Sequence, residues 1–197
     1  MTIVALACFA VQKTVNAPEV ESAIRRLRLA KVIDVSISND SSETNQRFSY
    51  KLKNGTARVR SEDNGTAWAD LESGIVRGQS KDGRRVRWKV TEAGSVFAAA
   101  GYFQVGLDML LRAVGPFSAE TPSWSKAKNR VFTKSYVIDD VDNEAEIELG
   151  DNGLPAKISW SVSVYSDDNV VTSTTTEKYT WRNVTPLPQQ KKTSVQQ

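Results

Sequence analysis

Apolar and polar residues alternate with a period of two along most of this chain. Ile33, Val35 and Ile37 alternate with Asp34, Ser36 and Ser38, and Phe48, Tyr50 and Leu52 alternate with Arg47, Ser49 and Lys51. Ala57 and Val59 then alternate with Thr56, Arg58 and Arg60. Asn54-Gly55 between the last two runs is the pair a two-residue type I′ turn favours, because both positions need positive φ. Asn64-Gly65 repeats that signal before Ala67-Trp68, and Lys81-Asp82-Gly83 separates Ile75-Val76 from the run Val86, Trp88, Val90. Later, Phe132, Tyr136 and Ile138 share a parity that Lys134 interrupts, and Ala145, Ile147 and Leu149 alternate with glutamates. Asp151-Asn152-Gly153 precedes Ile158, Trp160, Val162 and Val164, and Asp167-Asp168-Asn169 turns into a Thr-rich strand ending at Tyr179 and Trp181. The pattern predicts about nine short strands. Turns this short cannot carry parallel crossovers, so the sheet reads as an antiparallel meander with one apolar and one wet face.

Two stretches break the rhythm. Over residues 16–30, Val20, Ala23, Ile24 and Leu27 fall at helical spacing behind Pro18 and Glu19, which suit a first turn. Ser95 to Val114 reads as one helix, or as two short ones hinged near Gly101 or Gly106, with Phe97, Ala100, Phe103, Leu107 and Leu110 near one stripe. Residues 115–130 read as a polar, Pro-containing loop, and the stretch after Trp181 as a Pro-containing tail.

A twisted sheet of about nine strands with so little helix to cover it must curl. The predicted fold class is α+β, mostly antiparallel β: a curved, unclosed β-barrel of about nine or more strands, with an N-terminal helix and a mid-chain helical lid or plug. Its interior is either packed solid or hollow around a lipophilic cavity.

Composition narrows the chemistry. The chain has 197 residues, 26 Lys+Arg, 23 Asp+Glu, no His and one Cys. Without histidine there is no Ser-His-Asp or Cys-His catalysis, no His-bound metal and no histidine pH switch. One cysteine excludes an internal disulfide and a CxxC metal site. The near-neutral balance argues against a nucleic-acid binder. Arg84-Arg85-Val86-Arg87-Trp88-Lys89 fits a solvated strand, with Arg85, Arg87 and Lys89 on its wet face, where they could meet anionic lipid head groups.

Ile3 to Val11 is apolar but too short to span a bilayer. Val15-Asn16-Ala17 places small residues where a signal peptidase accepts them, so residues 1–17 read as a secretory signal peptide cleaved after Ala17. The alternative is a buried N-terminal strand. Lipidation at Cys8 is not expected, with Ala at −3 and a very short upstream run. The domain scheme is a signal peptide over 1–17, a half-barrel over 18–183 and a flexible tail over 184–197, in a periplasmic or secreted protein.

A leader, an N-terminal helix, a run of strands, a mid-chain helix and a final set of strands together resemble the periplasmic lipoprotein-carrier superfamily (LolA/LolB-like). Asn64-Gly65-Thr66-Ala67-Trp68 resembles its glycine-to-tryptophan hairpin, and Gly150 to Ile158 resembles its Gly-Leu-Pro turn into the late strands. The early Phe-x-Gln pattern of the carriers is replaced here by the polar run Asn39 to Gln46. The resemblance implies an unclosed barrel with a helical lid, binding acyl chains without chemistry.

The residues themselves point the same way. The candidate cavity residues are Trp68, Trp88, Phe97, Phe103 and Leu107, with Leu110, Phe132, Tyr136, Trp160 and Val162. The bland reading is that they simply pack the core. Expected partners are lipid or lipoprotein acyl chains, or a membrane-bound protein partner if the scaffold is an adaptor. A monomer without nucleic acid, cofactor or metal is expected. Counted from Asp140, the acidic cluster Asp139 to Glu144 lacks the glycine and glutamate of an EF-hand loop. Four Asn-x-Ser/Thr sequons start at Asn39, Asn54, Asn64 and Asn183. Carboxylate-pair catalysis is the remaining enzymatic route, and it ranks last because most acids fall in turns or on polar strand faces.

Overall fold

Alternation of this kind builds a sheet, and the strands among the described residues join a single one. The computed structural model of the chain describes residues 17–41, 45–63, 65–89, 105–118, 123–138, 141–166 and 169–186. The sheet begins with β1 (Ala30–Ser41), β2 (Asn45–Lys53), β3 (Thr56–Ser61), β4 (Gly65–Asp70), β5 (Ile75–Gln79) and β6 (Arg85–Lys89). It continues with β7 (Ser125–Lys128), β8 (Val131–Ile138), β9 (Val141–Leu149), β10 (Pro155–Ser166) and β11 (Asn169–Pro186). The order is β6-β5-β4-β3-β2-β1-β11-β10-β9-β8-β7, and every pairing is antiparallel. Two meanders are therefore joined where the last strand pairs with the first.

Among the described residues the sheet is not closed, and β6 and β7 are its edges. Both are short and cationic, with Arg85, Arg87 and Lys89 on one and Lys126 and Lys128 on the other. Charged, short edges resist pairing with each other or with another chain.

Turn chemistry sets the register. Asn54 and Gly55 have φ of 51° and 75°, the two positive values a type I′ turn needs. That turn pairs Leu52 with Ala57 and Tyr50 with Val59. At Gly65, φ is 95° and a Cβ would overlap the Gln79 carbonyl oxygen, so only glycine fits. The core lies on the inner face, where Ile33, Val35, Ile37, Tyr50, Ile147 and Ile158 are buried.

Among the described residues, two helices cover part of that face. Helix α1 (Pro18–Arg28) opens on proline, with Glu19 and Glu21 in its first turn and Arg25, Arg26 and Arg28 in its last, as the helix dipole favours. It buries Val20, Ala23 and Leu27. Helix α2 (Gly106–Arg112) buries Leu107, Met109 and Leu110 and ends where Ala113 turns left-handed at φ 55°. A 3-10 turn, Gly115–Phe117, follows.

The structure refines the expected layout. The described residues form eleven strands, within the expected nine or more. Strand β7 lies in the stretch read as loop, because Ser125-Lys126-Ala127-Lys128 has no apolar alternation to announce an edge strand. Strand β11 runs on to Pro186, past Trp181 and into the expected tail, because Thr185 and Val184 pair with Val32 and Ile33 of β1. Within the expected mid-chain helix, the described part is helical only from Gly106 to Arg112. Residues 1–16, 90–104 and 187–197 lie outside the described residues, and with them Cys8, Phe97 and Phe103. No helix among the described residues is long and apolar enough to cross a membrane.

Candidate functional site

The inner face is not uniformly apolar, and its polar groups show how α2 is seated. Glu177 shares the inward parity of Tyr179 on β11 and is fully buried. Its carboxylate accepts the Gly106 amide at 3.0 Å, the Asn39 side-chain amide at 3.3 Å and the Tyr179 hydroxyl. It therefore satisfies orphan donors at the start of α2. Burial pushes its pKa up to about 7, against the lowering effect of the Tyr179, Gly106 and Asn39 hydrogen bonds. A Cβ on Gly106 would lie 2.6 Å from the Trp160 ring, so glycine lets the helix start sit directly on that indole.

Asp108 is the second buried acid. It pairs with Arg112 one turn on, at 3.0 Å. Tyr50 is also buried, which raises its pKa, and the nearby Asp108 charge raises it further. These two carboxylates are exceptions to the expectation that most acids sit in turns or on polar strand faces. The signal for Glu177 was its parity with Tyr179 and Trp181. Neither acid lines any of the three grooves described below, and their polar partners belong to the protein itself. The described residues contain no group of three acids or cysteines able to hold a metal.

An apolar groove of about 570 Å³ opens between α1 and the turn after α2. Ile24 and Leu29 form one wall, and Phe117 and Trp124 form the other. The Phe117 and Trp124 rings stack at 6.1 Å, and Phe117 meets Trp160 edge-on at 6.4 Å, so the floor continues into the core. Arg25 and Arg28 stand at the rim with the single acid Glu21, and Lys134 lines the wall. Lys134 interrupts the apolar parity of β8 and is nevertheless buried. Its ammonium lies over Trp124 at 5.7 Å and donates to the Ser118 carbonyl at 2.8 Å. Burial holds its pKa below the usual lysine value. An apolar floor with cations at the rim suits an amphiphile with an anionic or polar head.

The sequence-predicted cavity residues divide into several environments. Leu107, Leu110, Phe132 and Trp160 come together in the buried core. Trp88 on β6 is half-buried and packs against it. Tyr136 and Val162 are half-buried further along the inner face, each paired with Asn143. Trp68 lies on the opposite face, because the turns at Asn54-Gly55 and Gly65 send Ala67 and Ala69 inward. Arg58 covers its ring at 5.4 Å. Ile24 was read only as part of the stripe of α1, and Phe117 and Trp124 were not singled out in the sequence. Phe117 and Trp124 sit in the stretch read as loop, and only their burial marks them.

The tips of the β8–β9 and β10–β11 hairpins are different again. Val137, Val164, Tyr165, Val170 and Val171 are exposed there, on both faces of the sheet.

No family model matches the chain, and no curated protein matches it.

Proposed function

We propose that this chain is a non-catalytic, extracytoplasmic binder of acyl chains, a carrier for a lipid or a lipoprotein. The observation that carries the reading is the groove between α1 and Phe117-Trp124, apolar in its floor and cationic at its rim. The open eleven-stranded sheet supports it, since an unclosed barrel leaves one end of its apolar face to be covered by helices or by a guest. The carrier superfamily that the sequence resembles has that plan. Residues 1–17, read as a leader, put the protein outside the cytoplasm. Each methylene buried in such a groove contributes about 0.8 kcal/mol.

The test is a titration with palmitate, following the intrinsic tryptophan fluorescence to which Trp124 in the groove contributes. Saturable binding is expected, weakened at least tenfold (roughly 1.4 kcal/mol) by Leu29→Glu. Leu29 is 47% exposed, so a charge there leaves the core intact. No binding, or equal binding by the variant, would overturn the assignment.

A second reading, an adaptor for a membrane-bound protein partner, rests on the exposed hairpin tips. Val164 pairs with Val171 and Tyr165 with Val170, so the strand ends beside this turn expose apolar side chains.

A further inference from the structure

The solvent face of the same sheet is chemically divided. Strands β2 to β6 carry nine Lys and Arg residues against the single acid Asp70, and all nine cations are exposed. Strand β9 carries Asp142, Glu144, Glu146 and Glu148 and no base. One row of register partners across the sheet reads Asp34, Lys51, Arg58, Trp68, Arg77, Arg87.

Where the basic half meets β1 and β11 lies a groove of about 870 Å³. Its floor is made of small hydroxyl side chains, Ser36, Ser38, Ser49 and Thr180, on β1, β2 and β11. Long cations stand around that floor: Arg47, Arg60, Lys178 and Arg182 among them. None of these four has an acidic partner among the described residues, and Glu62 is the one acid in the lining. A second groove of about 710 Å³ adjoins it, with Trp68, Ile75 and Val86 beside Arg77, Arg85 and Arg87.

We infer that this face docks on anionic phospholipid head groups. The cations on β3 and β11 are three strand spacings apart, roughly 14 Å at about 4.8 Å per strand, which no single phosphate bridges. A surface of many phosphates satisfies them together, and the hydroxyl floor adds donors between the charges. Trp68 supplies the amphipathic ring that suits a membrane–water interface. A single-stranded nucleic acid would need open stacking platforms. On this face of the described β2–β6 residues the only aromatic is Trp68, which already lies under Arg58. The acidic β9 contributes no residue to either groove and lies two strands beyond β11. The inference goes beyond the acyl-chain reading and does not depend on it.

The experiment is flotation of the full chain with phosphatidylglycerol-containing vesicles and with pure phosphatidylcholine vesicles, at low and high salt. Binding to the phosphatidylglycerol vesicles alone is expected, abolished by high salt. Each cation near an anionic leaflet strengthens binding about fivefold, so Arg47→Glu/Arg60→Glu/Arg182→Glu should weaken it at least about a hundredfold. All three positions are exposed, and an unchanged urea midpoint checks that the variant folds. The reversal Glu144→Lys on β9 should leave binding intact. Equal binding to both vesicles, an unaffected triple variant, or tighter binding to a single-stranded oligonucleotide than to phosphatidylglycerol would overturn the inference. So would self-association of lipid-free protein lost in the same variant. The palmitate titration reads a different groove, so either result stands without the other.

Discussion

Trp160 and Trp68 are the same residue on neighbouring meanders of one sheet, and they live in different chemistry. Trp160 points inward, is 5% exposed, and carries Gly106 of α2 and the edge of Phe117. Trp68 points outward between Arg58 and Arg77, its partners on β3 and β5. The difference teaches that register, set by glycine turns, decides what an aromatic does here. Residue type alone does not. The same division holds for the acids: Glu177 faces in and caps a helix, while Glu146 faces out and meets Lys157 at 2.9 Å.

The largest effect should come from removing the inward indole. Trp160→Ala should cost about 3–5 kcal/mol in urea unfolding, the range for a large buried aromatic. A loss below about 1 kcal/mol would mean that α2 does not rest on it.

Glu177 sharpens the contrast next, through pH. Its folded pKa of about 7 lies above the ordinary value of 4.5. The folded state therefore binds more protons than the unfolded state between those values, so stability falls as pH rises from about 4.5 to 7 and is flat outside that window. The fall attributable to this group should approach about 3 kcal/mol, at about 1.4 kcal/mol per unit. Urea midpoints at pH 5 and pH 8 measure it. Glu177→Gln should remove that dependence, and a variant that kept it would assign the effect elsewhere.

Gly106→Ala tests the close approach of helix and sheet. The added methyl would meet Trp160 at 2.6 Å and the Glu177 carboxylate at 3.0 Å. Overpacking of this kind should cost about 1–3 kcal/mol. Trp68→Ala is the smallest change, about 1 kcal/mol or less, because what is lost is chiefly a solvent-exposed cation–π contact with Arg58. If the two tryptophans proved equally costly, the division into faces would fail.

Much of this architecture was legible in the chain. Ile33-Val35-Ile37, Ala145-Ile147-Leu149 and Ile158-Trp160-Val162 alternate cleanly because each lies on an antiparallel strand with one wet face, and β11 extends the same alternation through Tyr179 and Trp181. Trp68 was misjudged as inward because bulk suggests core. Flanked by Ala67 and Ala69, it needed the register of β3 to place it. Glu177 was obscured by the opposite prejudice, that charge means solvent. Strand β7 left no trace, since a short cationic edge resembles a loop. The groove at Phe117 and Trp124 was hidden for another reason: it is assembled from α1 and a stretch about a hundred residues later, and only the folded chain brings them together.

The most direct test of the acyl-chain assignment is native mass spectrometry of the protein purified, without detergent, from cells that express the full chain. The mass should correspond to a chain beginning at Pro18 plus an acyl-containing ligand, and the added mass should disappear after organic extraction. A ligand-free mass that palmitate does not shift would contradict the account.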